Sequence, residues 1–266
     1  MSFLFESQLG VRVLASGSRG NVVCIQGGQA TLLVDVGISG RRLSALFDEL
    51  SYAIDSLEGV LLTHEHADHT KGLRAWPGCP EISVYGNSQT IDQIRESCRK
   101  IKNWEVFETG DSFSIGDFVI ESFPVPHDAY DPVGFLIQYH GKSVAVLTDL
   151  GYVTETVVAK AKGADVIVLE ANYDEQLLQS DSKRPWSVKQ RIMARHGHLS
   201  NEQAAGLLLQ ISGSPLKHVF LGHMSKDCNK PEVAKEKIRE ALEGSSFDEV
   251  VIHSTFQNRP SDLAVV

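Results

Sequence analysis

Four potential metal ligands lie within six residues, where His64, His66, Asp68 and His69 follow the apolar run 59–62. Neutral imidazole and carboxylate are the usual ligands of zinc-like divalent ions, and catalytic sites keep one coordination position open for water. In an extended segment His64 and His66 project from the same side and can bind one ion, whereas Asp68 and His69, beyond the bend, can reach a second. We interpret the cluster as a metal site at a strand end, because a solvated surface loop does not need this composition.

The composition is that of an ordinary globular protein, with 266 residues of which 42% are hydrophobic and 22% charged. We expect one domain over residues 1–266. Segment 1–6 lacks a basic n-region and no run of 18 apolar residues occurs, which predicts a cytoplasmic protein with no membrane partner. Four scattered cysteines without a C-x-x-C motif predict reduced thiols. The net charge of −9 disfavours nucleic-acid binding by the whole surface but permits a local basic groove.

Alternating strands and helices must position the ligand cluster. Apolar runs predict strands at 10–15, 22–25, 30–35, 82–85, 118–123, 134–139, 142–147 and 250–253. Periodic patterns predict helices at 39–50, 70–75, 88–100 and 230–242. Asp35 ends an apolar strand, and an aspartate is costly to bury there without partners. We therefore expect Asp35 to orient a metal ligand by a hydrogen bond.

The loop between the first two strands, 16–21, is rich in small residues and contains Ser18 and Asn21. Such a loop either cradles a phosphate or simply connects a hairpin, and the sequence does not separate these alternatives. We take Ser18 and Asn21 as candidate substrate contacts.

A basic segment lies between Ser182 and Asn201 and contains no Asp or Glu. Its cations are Lys183, Arg184, Lys189, Arg191 and Arg195. Trp186 lies among them, and a helix would place Arg191 and Arg195 one turn apart on a shared face. In an acidic chain, unbalanced positive charge beside an aromatic is typical of contact with a phosphate backbone and a stacked base. We therefore predict that Trp186, Arg191 and Arg195 contact substrate, the alternative being a solvated basic helix.

His198 lies directly before a predicted helix start, where Ser200 and Gln203 match an S-x-x-Q capping box. Helix N-termini attract anions. His198 is predicted to contact a phosphate or to protonate the leaving oxygen, whereas a purely structural histidine is the competing interpretation.

These motifs resemble those of the metallo-β-lactamase-fold hydrolases, and in particular the branch of YycJ/WalJ-like single-domain nucleases. The matching segments cover nearly the whole chain: 15–18 with 20–21, 63–69, 126–128, Glu170 with Asn172 and Asp174, 184–187, 197–201, 223–227 and 229–232. Met224 and Cys228 depart conservatively from the last motif. The resemblance implies an α/β fold, the four-layered αββα sandwich, with a metal centre at the sheet edges.

The resemblance also implies how the ligands divide between two divalent ions, zinc or manganese. It assigns His64, His66 and His127 to one ion, Asp68, His69 and His223 to the other, and Asp149 as the bridge between them. Asp35 takes the supporting position behind a ligand, Asp68 and His198 are the predicted catalytic side chains, and Asn172 is a predicted substrate contact.

The activity implied by the resemblance is that of a metal-dependent DNA 5′-to-3′ exonuclease, a phosphodiesterase in which a metal-bridging hydroxide attacks phosphorus. RNA is an alternative substrate. The fold alone does not name the reaction, so a small-molecule metallohydrolase acting on a cyclic phosphodiester, lactone or thioester remains the alternative function. A non-catalytic scaffold would be expected to lack ligands, and none is missing. The oligomeric state is not fixed by the sequence.

Overall fold

The computed structural model describes residues 7–247 and 249–266, and its strands within these ranges form two sheets of seven. The strands are β1 (Leu9–Ala15), β2 (Val22–Gly27), β3 (Ala30–Val34), β4 (Leu57–Leu61), β5 (Ser83–Asn87), β6 (Asn103–Phe107), β7 (Ser112–Ile115), β8 (Phe118–Pro124), β9 (Val133–Tyr139), β10 (Lys142–Leu147), β11 (Val166–Glu170), β12 (His218–Gly222), β13 (Val251–Ser254) and β14 (Ala264–Val265). The first sheet has the order β14-β1-β2-β3-β4-β5-β6, and the second has the order β13-β12-β11-β10-β9-β8-β7.

Helices connect the strands, and three short 3₁₀ turns lie at 54–56, 71–75 and 95–97. The helices are α1 (Gly40–Glu49), α2 (Ala67–Thr70), α3 (Ser88–Ile94), α4 (Glu155–Ala161), α5 (Glu175–Ser180), α6 (Trp186–Ile192), α7 (Asn201–Gln210) and α8 (Pro231–Leu242). In the described residues, no helix is long and apolar enough to cross a membrane.

The two sheets pack face to face, and helices cover their outer faces. Alternation along β10 shows this arrangement: Val144 and Val146 point into the core between the sheets, while Ala145 and Leu147 pack beneath α4, α7 and α8. On the other side, α1 packs its apolar face on β2 to β4. The layers run helix, sheet, sheet, helix, so the predicted αββα sandwich is confirmed.

Several predicted boundaries are wrong. The helix expected at 88–100 ends at Ile94 and continues as a 3₁₀ turn, where the Ser97 hydroxyl donates to the Ile94 carbonyl. The helix expected at 70–75 is α2 followed by a 3₁₀ turn. The prediction about segment 1–6 lies outside the described residues. One domain over 1–266 stays a prediction, supported by the pairing of β14 with β1.

The topology brings several strand ends to one edge of the sandwich. β3 and β4 are parallel neighbours, and β10, β11 and β12 form a second parallel run. β8 points the same way as β10, because each pairs antiparallel with β9. The carboxyl ends of neighbouring parallel strands meet at the same edge. The loops after these strands carry every residue that the sequence predicts to bind metal.

Candidate metal centre

The first candidate ligand group consists of His64, His66 and His127, whose ligand nitrogens lie within 4.8 Å of one another. The Nδ1 atom of His64 lies 3.0 Å from the Thr63 hydroxyl, and Nδ1 of His127 lies 3.1 Å from the Gly197 carbonyl oxygen. These contacts engage the Nδ1 atoms and not the Nε2 atoms of the two rings. His64 Nε2 is buried and has no hydrogen-bond partner within the described residues. A buried ring nitrogen without a partner is costly, and a bound cation would satisfy it.

Burial favours the neutral form of two rings in the first group. Burial lowers the pKa of His64 well below its ordinary value, and the neighbouring His69 lowers it further. Burial also lowers the pKa of His127. Neutral imidazole is the form that binds a metal ion, so these rings are ready to act as ligands.

The second candidate ligand group consists of Asp68, His69 and His223, whose ligand atoms also lie within 4.8 Å of one another. Asp68 Oδ2 lies 3.3 Å from Nε2 of His223 and 3.7 Å from Nε2 of His69. Asp68 and His69 are part of α2, and His223 follows β12. The bend after His66 places the two halves of the motif in different groups, and His64, His69 and Asp149 form a further group with ligand atoms within 4.8 Å of one another.

Asp149 lies between the two groups. Its Oδ2 atom is 2.8 Å from Nε2 of His69, and its Oδ1 atom is 3.6 Å from Nε2 of His127. The carboxylate thus faces one histidine of each group. This is the placement that a carboxylate bridging two ions requires.

Three of the strand-end residues at this edge have left-handed backbone conformations. Asp35, Asp149 and His223 have φ angles of 61°, 54° and 52°. Such conformations are uncommon for residues other than glycine, and they persist where the surrounding structure enforces them, often at functional sites. Here each one turns the chain out of a strand and directs a polar side chain towards the centre.

Asp35 makes the hydrogen bond that its position predicts. Its Oδ2 atom lies 2.7 Å from Nδ1 of His69, and its two oxygens accept bonds from the backbone N–H and the hydroxyl of Thr63. The Thr63 hydroxyl also lies 3.0 Å from Nδ1 of His64. A single aspartate and threonine therefore hold one histidine from each ligand group in a fixed orientation.

Glu170, at the end of β11, is the main residue that we did not predict for the site. Its Oε1 atom lies 2.7 Å from Nδ1 of His198 and 2.9 Å from Nδ1 of His223. Its Oε2 atom accepts from the backbone N–H groups of Leu150 and Leu199. Burial would raise the pKa of Glu170, but the adjacent His198 and His223 lower it, so the carboxylate is ionised. The signal was available, because an acidic residue ends an apolar strand here as it does at Asp35.

Two predicted substrate contacts instead support ligands. Asn172 is buried, and its amide donates to the His223 carbonyl oxygen at 2.7 Å and lies 3.2 Å from that ring. Asn21 is also buried, with its Nδ2 atom 3.1 Å from Nε2 of His69 and its Oδ1 atom accepting from the Gly17 N–H. Neither amide lines the open pocket, and their contact with substrate stays a prediction.

An open pocket of about 280 Å³ lies over both ligand groups. It is lined by Ser18, His66, Asp68, His127, Asp128, Asp149, Val188, Arg191, Ile192, Gly197, His198 and His223. Ser18 is exposed at its edge, and His198 is 22% exposed. The predicted capping box of Ser200 and Gln203 is present at the start of α7 and fixes the segment that carries His198.

The basic segment carries less unbalanced charge than its sequence indicates. Three of its cations pair with carboxylates from outside residues 182–201: Lys183 with Asp227, Arg184 with Asp181 and Asp227, and Arg191 with Asp128. Lys189 is buried and donates to the Gln179 carbonyl oxygen. These carboxylates lie outside the segment, so a count of charges within it overstates its net positive charge.

Arg191 and Arg195 do not share a helical face, because α6 ends at Ile192. Arg195 instead lies 4.2 Å from the centroid of the Tyr152 ring, in a cation–π contact. Of the predicted substrate contacts in this segment, Arg191 lines the pocket, and Trp186 is 59% exposed at the first residue of α6.

Carboxylates dominate the electrostatics of the second group. Burial would lower the pKa of His223, but Asp149, Asp68 and Glu170 raise it to about 10. Burial would raise the pKa of Asp68, but the hydrogen bond from His223 and nearby positive charge hold it at about 2. The centre therefore concentrates negative charge that calls for cations. Together with the unpartnered nitrogen of His64, this donor set fits divalent metal ions.

Comparisons with known proteins agree with this geometry. Residues 31–224 match the model of the β-lactamase superfamily domain. The exodeoxyribonuclease YycJ of Bacillus anthracis is 35% identical over 259 residues, which cover 96% of this chain and 98% of that protein. The exodeoxyribonuclease WalJ of Streptococcus pneumoniae is 36% identical over 234 residues, which cover 86% of this chain and 87% of that protein.

Solved structures show the same fold at low sequence identity. The metallo-β-lactamase fold protein YhfI from Bacillus subtilis has a TM-score of 0.72 and 16% identity, covering 96% of this chain and 99% of its own. Zn²⁺-bound PqqB from Methylobacterium extorquens has a TM-score of 0.68 and 15% identity, covering 95% of this chain and 99% of its own. The chain belongs to the β-lactamase superfamily and, within it, to the family of the YycJ and WalJ exodeoxyribonucleases.

Proposed function

We propose that this protein is a metal-dependent exodeoxyribonuclease that binds two divalent ions at the edge of the sandwich. The observation that carries the proposal is the convergence of two ligand groups on one carboxylate, Asp149, beneath an open pocket. The first ion would be held by His64, His66 and His127, and the second by Asp68, His69 and His223. The shared family with two exodeoxyribonucleases supports DNA as the substrate.

Bound divalent ions would supply Lewis-acid chemistry, by making water a stronger nucleophile and neutralising charge on phosphate oxygens. The protein's own groups fix where that chemistry happens. Asp35, Glu170 and Asn172 hold His69 and His223 through their Nδ1 atoms or backbone. The Nε2 atoms of both rings lie on the side of Asp68. No side chain needs to act as the nucleophile.

His198 is the proposed proton donor to the leaving oxygen. Burial would lower the pKa of His198, but the Glu170 carboxylate raises it above its ordinary value, which favours the protonated ring. Its Nδ1 atom bonds to Glu170, which leaves Nε2 to donate into the pocket. The leaving oxygen of a cleaved phosphodiester needs such a donor.

We propose Ser18, Arg191 and the exposed Trp186 as the substrate contacts that remain from the sequence analysis. Ser18 and Arg191 line the pocket, and Trp186 presents a free aromatic face at the start of α6 on which a base could stack. Arg195 lies against Tyr152 and is not part of this proposal.

The proposal also covers the metal, the type of nucleic acid, the direction of cleavage and the location of the protein. Imidazole and carboxylate ligands suit zinc or manganese, and we propose one of these as the resident ion. Single-stranded or double-stranded DNA is preferred to RNA in the proposal because the relatives are named exodeoxyribonucleases. We also propose that cleavage runs in the 5′-to-3′ direction and that the protein is cytoplasmic.

The test compares three substrates: end-labelled linear DNA, a cyclic nucleotide and a lactone. Protein reconstituted with zinc or manganese should degrade DNA from an end, and His66→Ala should lose that activity. A matched control, His140→Ala, changes an exposed turn histidine distant from the pocket. Faster turnover of the cyclic nucleotide or lactone than of DNA would favour the small-molecule metallohydrolase instead.

A further inference from the structure

A second cleft opens beside the metal centre, on the far side of the loop 16–21. Its volume is about 280 Å³. It is lined by Arg19, Ile38, Ser39, Arg42, Lys71, Gln257 and Asn258, and we call it the basic cleft. No acidic side chain is among these residues, although the chain as a whole carries a net charge of −9.

The three cations of the basic cleft are not neutralised. Within the described part of the chain, Arg19, Arg42 and Lys71 form no ion pair with a carboxylate, and the Lys71 ammonium donates to the Arg19 carbonyl oxygen. Nε of Arg42 is buried without a hydrogen-bond partner. This differs from the basic segment, where Lys183, Arg184 and Arg191 all have carboxylate partners. Unpaired positive charge in an acidic protein calls for an anion.

The backbone adds to this preference. Ser39 is the N-cap of α1, a helix of ten residues, so the positive end of the helix dipole points to the same cleft. Gln257 holds the wall of the cleft in place, since its Oε1 atom accepts from the Arg19 N–H and its Nε2 atom donates to the Gly20 carbonyl. The cleft is therefore a fixed concavity rather than a scatter of surface cations.

The basic cleft and the metal centre share their walls. Arg19 directly follows Ser18, which lines the metal pocket, and Lys71 lies two residues beyond His69. The Asp68 carbonyl oxygen accepts from the Asn21 N–H, which joins α2 to the loop between the two openings. Since neighbouring Cα atoms are about 3.8 Å apart, the distance between the two openings is no more than the length of a few nucleotides.

We propose that the basic cleft is a second phosphate subsite, which holds a backbone phosphate of the DNA strand whose scissile phosphate lies at the metal centre. The proposal rests on the proposed function and extends it to a named position for the strand. Arg19, Arg42 and Lys71 supply charge-assisted hydrogen bonds to the phosphate oxygens, and the α1 N-terminus adds its dipole.

The test is a charge-removal series in the metal-loaded protein: Arg19→Gln, Arg42→Gln and Lys71→Gln. Arg41→Gln is the matched control, because Arg41 is exposed next to Arg42 and does not line the cleft. For each protein, kcat/KM is measured on an oligodeoxynucleotide and on bis(p-nitrophenyl) phosphate, a diester too small to reach the cleft.

We expect each cleft variant to lower the ratio of the two kcat/KM values about tenfold, mainly through KM for the oligonucleotide. The slope of log KM against log salt should shrink by about 0.7 to 1. Arg41→Gln should leave both quantities unchanged. Identical behaviour of the cleft variants and Arg41→Gln would overturn the proposal. Arg19 is exposed, so Arg19→Gln gives a result even if the partly buried Arg42 is needed for folding.

A released mononucleotide carries the same phosphate chemistry, and substrate length separates the two sources. If the cleft holds a backbone phosphate, Arg42→Gln should not lower kcat/KM on a dinucleotide. The opposite result is that Arg42→Gln lowers kcat/KM on a dinucleotide as much as on the oligonucleotide, and that dAMP inhibits the variant less than the wild type. This result would assign the cleft to product and overturn the strand assignment.

The proposed function can also fail separately. If the metal-loaded wild type does not degrade DNA, binding of a labelled oligonucleotide still reports on the cleft through fluorescence anisotropy. Weaker binding by the cleft variants than by Arg41→Gln would support the subsite even then, and equal binding would overturn it.

Discussion

The two ligand groups of the candidate metal centre differ in what holds them in place. In the first group, a hydroxyl and a carbonyl contact the Nδ1 atoms of His64 and His127. In the second group, the carboxylate of Asp35 contacts Nδ1 of His69, and the carboxylate of Glu170 contacts Nδ1 of His223. One group rests on neutral partners and the other on buried charges.

This difference shows how one short motif can supply two electrically distinct sites. Carboxylate partners make an imidazole a stronger base and a stronger ligand, but they also make it hold a proton more firmly. Neutral partners in a buried position do the opposite. The first group should bind its ion with little competition from protons, whereas the second group must exchange protons for its ion.

The largest expected effect comes from removing the carboxylate that the groups share. Asp149→Asn should lower kcat/KM on linear DNA by at least about 1,000-fold. The amide keeps only one ligand oxygen and no negative charge, so it cannot bridge two ions as a carboxylate does. The initial rate and the metal content measure this. Asp117→Asn, at an exposed carboxylate, is the control and should change neither. Full activity in Asp149→Asn would remove the basis for a shared bridge.

Glu170→Gln should act on the second group and spare the first. The amide keeps the shape of the side chain but loses the charge that orients His223 and His198, so we expect about a 100-fold loss of activity and loss of one bound ion. Elemental analysis and the pH profile of kcat distinguish this from a folding defect. Glu236→Gln, on the exposed face of α8, is the control. If Glu170→Gln retained both ions and full activity, the second group would not depend on a buried carboxylate partner.

Acidification should separate the two groups. Burial would lower the pKa of His69 and His223, but Asp149 raises both, well above the ordinary value for His69 and to about 10 for His223. Protons therefore compete for these rings increasingly as the pH falls, whereas the depressed pKa of His64 keeps that ring neutral. Dialysis between about pH 8 and about pH 6, followed by metal analysis, should show the second ion leaving first. Simultaneous loss of both ions would contradict the comparison.

The smallest effect is expected at an uncharged support. Asn172→Ala removes the amide that donates to the His223 carbonyl and contacts its ring, so activity should fall about tenfold while both ions remain at saturating metal. Steady-state kinetics at several metal concentrations measure the change. A loss as large as that of Glu170→Gln would mean that charge is not what distinguishes the second group.

The fold and the histidine cluster could be predicted from the sequence because both depend on local patterns, whereas the resemblance supplied the distant ligands His127, Asp149 and His223. Asp35 was assigned by a physical argument, in which a charged residue that ends a buried strand needs a partner. The same argument applies to Glu170, because its apolar strand Val166–Glu170 is equally buried, but we did not apply the argument there. The histidine motif needed only ligand chemistry and the geometry of an extended chain.

Charge balance could not be predicted in the same way, because it depends on which distant segments fold together. Arg191 is neutralised by Asp128, 63 positions away, so the basic segment is less positive than its sequence indicates. The basic cleft shows the converse, since Arg19, Arg42 and Lys71 are far apart in sequence and become one positive surface only in the folded chain. The contacts of Asn172 and Asn21 with ligand histidines could not be predicted for the same reason, because they join segments that are distant in sequence.

The most direct test of the metal centre is a titration of chelator-treated protein with zinc or manganese, in which bound metal and DNA degradation are measured on the same samples. We predict that the stripped protein is inactive and that activity rises until about two ions are bound per chain. Undiminished DNA degradation by the stripped protein, or the absence of any bound ion at saturating metal, would contradict the account.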